Sequence, residues 1–337
     1  EDFSMKIGHR FGLWQSTSKT SRNGGFRIDA NANNFPILKK CALSYLEILP
    51  GNFREPHWHP NAHELGFCLS GNGLVSMYSG EEHAQFTLKK HTLSFIPKGS
   101  IHSITNTGDT PLKMIICFSD ENPEDLELSN SVRHFSNSVL SATFSKPESF
   151  ITQLKNNQEE SFIVDGFKTQ PGLYKTSPFQ YAFDIHDPNL SNDGGFAKMT
   201  NAFVFKELQD LSMYYLILDK DGVREPHWHP NTHELNYLIS GNAKISILSP
   251  NGDFDEFDME EGDISFLPQG YIHHIENTGI QPAEFAVFFN TNNPGDIGLS
   301  AALTTFSPEM LAQLFKMDLS TLKTLEVFPY NRLIVKK

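Results

Sequence analysis

Apolar and polar residues alternate along this chain in short runs broken by Gly, Pro, Asn and Asp. Ala42–Leu49, Gly66–Ser70, Leu74–Tyr78 and Leu93–Ile96 each have the length and alternation of a half-buried strand. Met114–Phe118 and Phe285–Phe289 are continuous apolar runs. Both are strand-sized and far short of the roughly 20 apolar residues of a membrane helix. Many short strands with turn signals between them predict a sandwich or barrel, and roughly 100 residues of such sequence in each half fit a double-sheet jelly roll. Helix signals close each half. Ser145-Lys146-Pro147-Glu148 precedes Phe150, Ile151 and Leu154, and Ser307-Pro308-Glu309 precedes Met310, Leu311, Leu314 and Phe315. Ser supplies a side-chain cap, Pro has no amide to orphan, and Glu complements the positive end of the dipole. The expectation is an all-β chain with a short C-terminal helix in each half.

The alternation is written twice. Arg54-Glu55-Pro56-His57-Trp58-His59-Pro60-Asn61-Ala62-His63-Glu64-Leu65 returns about half a chain later as Arg224-Glu225-Pro226-His227-Trp228-His229-Pro230-Asn231-Thr232-His233-Glu234-Leu235. Asn23-Gly24-Gly25-Phe26 and Asp193-Gly194-Gly195-Phe196 stand at the same distance before the two copies. Constant spacing over that length indicates duplicated domains. The division is expected near residue 165, giving domains 1–165 and 166–337. Gln158–Pro178 reads as the bridge, and residues 1–23 as a polar arm.

The repeated stretch carries chemistry. His57 and His59, one residue apart, share a face of an extended strand, as do His227 and His229. Glu64 and Glu234 follow at an odd step, and the Pro-Asn turn between can reset the parity and swing the carboxylate back. A second matched stretch offers a third imidazole: Pro97-Lys98-Gly99-Ser100-Ile101-His102 with Asn106, and Pro268-Gln269-Gly270-Tyr271-Ile272-His273 with Asn277. Pro-x-Gly marks a tight turn that delivers His at the start of the next strand. His57, His59, Glu64 and His102, and again His227, His229, Glu234 and His273, are therefore candidate metal ligands. Three neutral imidazoles and one carboxylate suit Mn, Fe, Co or Zn, leave two positions of a six-coordinate ion for water, O₂ or substrate, and exclude the all-oxygen sites of Ca or Mg. His63 and His233 adjoin the ligand Glu and point to the opposite face, toward packing or a hydrogen bond between sheets. Gly66 is expected to leave room beside the first metal, and Asn236 to place an amide beside the second. Arg54 and Arg224 precede the first His by three residues; spacing alone allows either a carboxylate-binding role or an ion pair with Glu55 or Glu225.

Composition narrows the partners. Lys and Arg number 27 against 40 Asp and Glu, a formal charge of −13. That balance argues against nucleic acid and an anionic membrane surface. Cys41, Cys68 and Cys117 have no metal or redox spacing, and their odd number argues against a disulfide framework. They read as small buried hydrophobes. There is no secretory signal, and the first residue is Glu1, so a cytoplasmic protein and one secreted after leader removal both remain open.

His-x-His-x₄-Glu-x₆-Gly (His57 to Gly71, His227 to Gly241) and Pro-x-Gly-x₂-His-x₃-Asn resemble the two signature motifs of the cupin superfamily, and their tandem occurrence resembles the bicupins. Arg-Glu-x-His-Trp-His, the Gly-Gly-aromatic element and the closing helix are similar to oxalate decarboxylases. The resemblance spans about residues 20–335. It implies two tandem cupin jelly-roll barrels, each holding Mn²⁺ through the ligands named above, with Arg54 and Arg224 pairing with a substrate carboxylate. It also implies cleavage of oxalate to formate and CO₂ with O₂ as an assisting cofactor, and a homo-oligomer. In that family a proton-donating acid sits on a lid beyond the third His of the first domain. The Ser-Glu-Asn lid is not reproduced in Phe118–Leu126; Glu124 is the nearest placement and Glu121 the second. Asp125 recurs as Asp296 and is expected to be structural. Val287 stands where decarboxylases tend to carry another Glu, so the first centre is the expected site of turnover. The alternatives are an oxidase or dioxygenase on the same scaffold, using Mn or Fe, and a non-enzymatic metal-binding bicupin with a storage or ligand-binding role.

Overall fold

The computed structural model describes residues 8–17, 19–156, 162–166 and 176–337. The expected arm 1–23 and bridge Gln158–Pro178 therefore lie partly outside the described residues. Two compact units emerge, Thr17–Ile185 and a second made of His186–Lys337 with the N-terminal segment through Ser16.

Each unit is a double-sheet antiparallel jelly roll. In the first, one sheet runs in the order Gln180–Ala182, Thr92–Ile96, Glu64–Ser70, Leu112–Phe118, Ala42–Ile48, Gly25–Ala30, Thr20–Arg22. The other runs Leu126–Glu127, Phe53–Trp58, Ile101–Asn106, Gly73–Tyr78, His83–Leu88, with Ile163–Val164 also paired to Phe53–Trp58. The second unit repeats both sheets, Glu234–Ser240 lying between Asp263–Leu267 and Ala283–Phe289, and Gly222–Trp228 beside Ile272–Asn277. All the alternating runs read from the sequence are strands, with ends that differ from the reading by a residue or two. The division expected at 165 falls later. Gln180–Ala182 adds an edge strand to Thr92–Ile96 of the first unit, and Arg10–Gly12, expected to be part of an arm, pairs with Asp263–Leu267 of the second. Both pairings cover a sheet edge that would otherwise present bare N–H and C=O groups.

Inward-facing residues build each core by period-two alternation. In the second unit Leu216, Leu218, Leu238, Ile245, Ile275, Phe285 and Phe289 pack together. Cys41, Cys68 and Cys117 are buried free thiols, as read from their surroundings. Gly25 and Gly195, the second glycines of the matched Gly-Gly-Phe elements, have φ of +147° and +135°, and a Cβ on either would lie 2.0 Å from the carbonyl oxygen of Glu47 or Ile217 across the strand pair. Among the closing helices, Pro308–Phe315 starts as expected, with the Ser307 hydroxyl accepting from the Met310 N–H. In the first copy the expected helix forms as Glu148–Leu154 with Glu148 in its first turn, but the expected Ser cap does not: Ser145 is the left-handed residue that ends Asn137–Phe144, and the helix begins after Pro147 without a side-chain cap. Among the described residues no helix is long and apolar enough to cross a membrane.

Because the first turn of each barrel depends on an unobstructed backbone, Gly25→Ala should destabilise the first unit by more than about 1 kcal/mol. A urea midpoint unchanged from the parent chain would contradict this.

Candidate metal centres

The ligands converge because the two sheets of each barrel face one another. His57 lies on Phe53–Trp58 directly opposite His102 on Ile101–Asn106, and their ring centroids are 4.2 Å apart. His59 follows just past the strand end. The Pro60-Asn61 turn then carries the chain into the other sheet, where Glu64 opens Glu64–Ser70. The parity reset expected of that turn is thus a change of sheet. His227, His229, Glu234 and His273 repeat the arrangement, with 4.3 Å between the His227 and His273 rings. In each set the four ligand atoms lie within 4.8 Å of one another and all four residues are buried.

Backbone carbonyls fix the imidazole tautomers. Nδ1 of His57, His59 and His102 lies 2.8, 3.0 and 3.1 Å from the carbonyl oxygens of Glu55, Glu124 and Ser100. In the second unit His227, His229 and His273 reach Glu225, Gly295 and Tyr271 at 2.7, 2.6 and 2.9 Å. A carbonyl only accepts, so Nδ1 carries the proton and the Nε2 lone pair points inward. Nε2 of His59 and His102 then stands 3.0 and 3.2 Å from Glu64 Oε2, and Nε2 of His229 and His273 stands 2.7 and 3.3 Å from Glu234 Oε2. Lone pairs facing a carboxylate oxygen repel unless a proton or a metal cation lies among them. Glu64 Oε1 is also buried without a hydrogen-bond partner. Burial, the Arg54 charge and the neighbouring imidazoles hold the His57 pKa well below its ordinary value. Burial would raise Glu64 and Glu234, but the surrounding imidazoles hold both well below the usual carboxylate range. Neutral imidazoles around an ionised carboxylate are the donor set of a divalent first-row ion, and the residues present fit one.

The surroundings of the two centres differ. At the first, all four terminal N–H groups of Arg54 are engaged. Glu127 accepts bidentately at 2.9 and 2.8 Å, Asp125 accepts at 3.4 Å and the Phe162 carbonyl at 3.2 Å. The Phe162 ring lies 4.3 Å from the guanidinium. The ion pair weighed with Glu55 does not form; that carboxylate accepts from the Ser129 N–H. Asp125 Oδ1 is 2.9 Å from His59 Nδ1, and Oδ2 accepts from Arg27 at 2.8 Å. Burial would raise Asp125, but His59, Arg27 and Arg54 hold it well below the usual range. Burial raises Glu127 in spite of Arg54. A small cavity beside the ligands is lined by Arg27, Leu46, Arg54, Ile104, Ile116 and Phe118.

Neither expected lid acid is brought to this cavity. Glu124 has an exposed side chain, its backbone accepting from His59 and donating to Asn61. Glu121 accepts from the Lys40 N–H at 2.8 Å and is tied to the Ala32–Lys40 loop. The acids at the first centre are Asp125 and Glu127, and with Arg27 they were missed as site residues. Period-two spacing on a strand was the available signal for Asp125 and Glu127.

At the second centre Arg224 donates to Asp296 and, at 3.2 Å, to the Leu333 carbonyl. Gly298 takes the place of Glu127, Ala197 and Met199 those of Arg27 and Asp29, and Tyr214 that of Ser44. The cavity is again small, lined by Tyr214, Leu216, Arg224, Ile275, Val287 and Phe289 beside His229 and Glu234. Asn236 donates to Glu234 Oε1 at 2.7 Å, the amide expected there. Gly66 does not leave the expected room: a Cβ would lie 2.7 Å from Ser94 Oγ and 2.8 Å from Met114 Cε. His63 and His233 point away from the ligands, their Nδ1 atoms accepting from the N–H groups of Lys98 and Gln269 at 3.0 and 2.9 Å.

Comparison with known proteins identifies this architecture. The sequence profile of the cupin family matches residues 11–146 and 181–323, one stretch in each barrel. The chain belongs to the cupin family. As a cupin with two barrels it is 25% identical over 312 residues to oxalate decarboxylase OxdC of Bacillus subtilis (strain 168), covering 89% of this chain and 80% of that protein. It is 24% identical over 353 residues to an oxalate decarboxylase of Arthroderma benhamiae, covering 92% and 81%. Germin-like protein subfamily 2 member 1 of Arabidopsis thaliana is 26% identical over 168 residues, 48% of this chain and 77% of that one. Among solved structures, Bacillus subtilis oxalate decarboxylase, studied for its Mn(II) centres, superposes with a TM-score of 0.89 at 23% identity over 98% of this cupin and 89% of that chain. The same enzyme at pH 4.6 gives 0.90 at 22% identity. At these identities the structures speak for the fold.

Elemental analysis should find two first-row divalent ions per chain, one after His57→Ala and none after His57→Ala with His227→Ala; unchanged content in the single variant would refute the ligand assignment. Arg54→Ala strips the cation from the half-buried Asp125 and Glu127 carboxylates and should cost about 1–3 kcal/mol of stability. Undiminished stability would show those carboxylates balanced by other groups.

In the metal-free chain, stability should also peak near neutral pH. Burial and Arg224 lower His227 from 6.5 to about 3, so its contribution is complete above 6.5 and is lost as pH falls toward 3. His59 runs the other way. Burial lowers it, but Asp125 and Glu64 outweigh burial and raise it from 6.5 to about 9, so its contribution is complete below 6.5 and is lost as pH rises through 9. A urea midpoint rising steadily from pH 4 to 9 would sink this account.

Proposed function

We propose that this cupin is a metal-dependent carboxy-lyase acting on a small carboxylate, with oxalate, cleaved to formate and CO₂, as the first substrate to test. The observation that carries the reading is the placing of a buried His₃Glu set and an arginine in one enclosed cavity, Arg54 in the first barrel and Arg224 in the second. The names of the relatives supply oxalate and Mn²⁺. When bound, such an ion supplies a redox-active Lewis acid with open coordination positions.

The chain's own residues do the rest. The carbonyl-bound imidazoles hold their lone pairs in fixed directions, and a guanidinium matches a carboxylate through parallel N–H donors. Leu46, Ile104, Ile116 and Phe118 in the first cavity, with Leu216, Ile275 and Phe289 in the second, exclude water and strengthen those contacts. For oxalate monoanion the C–C bond breaks, one carboxylate leaves as CO₂, and the retained electron pair takes a proton to give formate. The position of Glu124 and Glu121 away from the first cavity supports a second reading, an oxidase. Without protonation at carbon, both carbons leave as CO₂ while O₂ takes two electrons and two protons to become peroxide. Apolar side chains exposed on the terminal helices, Val139, Phe144 and Phe150 in the first unit and Met310, Leu314 and Phe315 in the second, support the homo-oligomer that the family resemblance implies.

Product analysis of the Mn²⁺-loaded protein with labelled oxalate should yield formate and CO₂ in equal amounts. Peroxide with O₂ uptake and no formate selects the oxidase, and no consumption of oxalate removes both enzyme readings.

A further inference from the structure

The matched cavities are unequal as anion sites, and the inequality runs against the expectation that the first centre turns over. At the first, an internal carboxylate already occupies the guanidinium fork that a substrate carboxylate would use. Arg224 spends only two donors on described residues, and the position corresponding to Glu127 is Gly298. Charge points the same way. Beyond the arginine, aspartate and ligand glutamate that both centres share, the first adds Arg27, Asp29 and Glu127, whereas the second has Ala197, Met199 and Gly298. With the same ion bound, the second centre is one unit more positive, and an anion is drawn there in a low-dielectric setting where one charge matters.

Tyr214 completes the contrast. It lies on Ser212–Leu218 with Leu216 and Leu218 at period-two spacing, so it shares their inward face. Its ring meets Phe289 edge-on at 4.7 Å, and Phe289 meets the ligand His229 at 4.8 Å. Tyr214 lines the same cavity as Arg224, His229 and Glu234, yet its hydroxyl has no hydrogen-bond partner among the described residues. It also pairs across the sheet with Val287, which stands where decarboxylases tend to carry another Glu. A half-buried phenol at that place can donate to an anion bound beside the metal.

We propose that the second centre is the one that binds a carboxylate anion, held between the metal and Arg224 with a hydrogen bond donated by Tyr214, and that the first centre is closed to it by Glu127. This rests on the reading that the chain binds a small carboxylate at a metal centre, and it adds which centre and which residue.

Calorimetric titration of oxalate into the Mn²⁺-loaded full chain under O₂-free conditions, with metal content measured in parallel, tests it. The parent chain should bind one oxalate. Tyr214→Phe should keep both metals and bind oxalate about tenfold more weakly or worse, the loss expected for one hydrogen bond to a charged group. His273→Ala, which empties the second centre, should abolish binding, and His102→Ala should preserve it. Should either histidine variant fail to fold, Tyr214→Phe decides alone, since it removes a single oxygen. Two equivalent oxalate sites, affinity unmoved by Tyr214→Phe, or binding lost in His102→Ala but kept in His273→Ala overturns the proposal. Acetate separates the two readings. Acetate held at the second centre with no affinity for oxalate keeps this assignment and removes oxalate as substrate, whereas binding of neither anion overturns both.

Discussion

A buried imidazole with its Nδ1 proton spent on a backbone carbonyl has one thing left to offer, an inward lone pair. Six such imidazoles in this chain obey that constraint, and the barrels are arranged around it. Glu55 and Ser100 supply carbonyls two residues before His57 and His102, so the same strand that presents each ring also orients it. His59 takes its carbonyl from Glu124, far along the chain, which ties the segment after Leu112–Phe118 to the centre. Glu64 arrives from the opposite sheet. Each set therefore joins two sheets by electrostatics that a bound cation satisfies, and metal and fold become thermodynamically linked.

Duplication supplies an internal comparison. Both barrels keep the ligand set, the carbonyl partners, the glycine at the crowded strand pair and the strand order. What changed are the residues facing the cavity from the strands beside the ligands. Arg27, Asp29 and Ser44 became Ala197, Met199 and Tyr214, and Glu127 became Gly298. The first barrel thereby encloses a polar rack and the second a mostly apolar chamber with one phenol. Divergence at these positions within a kept architecture separates what builds the barrel from what sets its chemistry.

The ligand sets were legible in the sequence because their geometry is local. His-x-His uses the two-residue strand period, and Pro-x-Gly sets the start of the strand that carries the third His. What was not legible depends on sheet pairing across long stretches of chain. Arg27 meets Asp125 only because Gly25–Ala30 and Leu126–Glu127 flank the same cavity, and no spacing announces that. Counting forward from the third His led to Glu124 and Glu121, but the short loop after Phe118 turns their side chains elsewhere and lets Asp125 and Glu127 reach inward. Gly66 reads as open space until Ser94 and Met114 are seen to fill it. The domain boundary fell late for the same reason, since edge strands at 10–12 and 180–182 are recruited by partners far away in the chain.

The half-buried charges of the first barrel are therefore not there to hold up a jelly roll. The second barrel has the same architecture with Arg27, Asp29 and Glu127 replaced by Ala197, Met199 and Gly298, and buried ion pairs are in general no more stabilising than apolar side chains of similar volume. Their consequence is local. Asp125, held by Arg27 and Arg54, sits 2.9 Å from His59 Nδ1, so that ligand is backed by a carboxylate as well as a carbonyl. A carboxylate behind an imidazole raises its basicity toward a metal. His229 has the Gly295 carbonyl at 2.6 Å, while Asp296 is drawn to Arg224. Two centres with identical ligands are thus backed differently, one by an anion that strengthens its hold on a cation, the other by neutral groups that leave more of the ion's charge for whatever binds beside it.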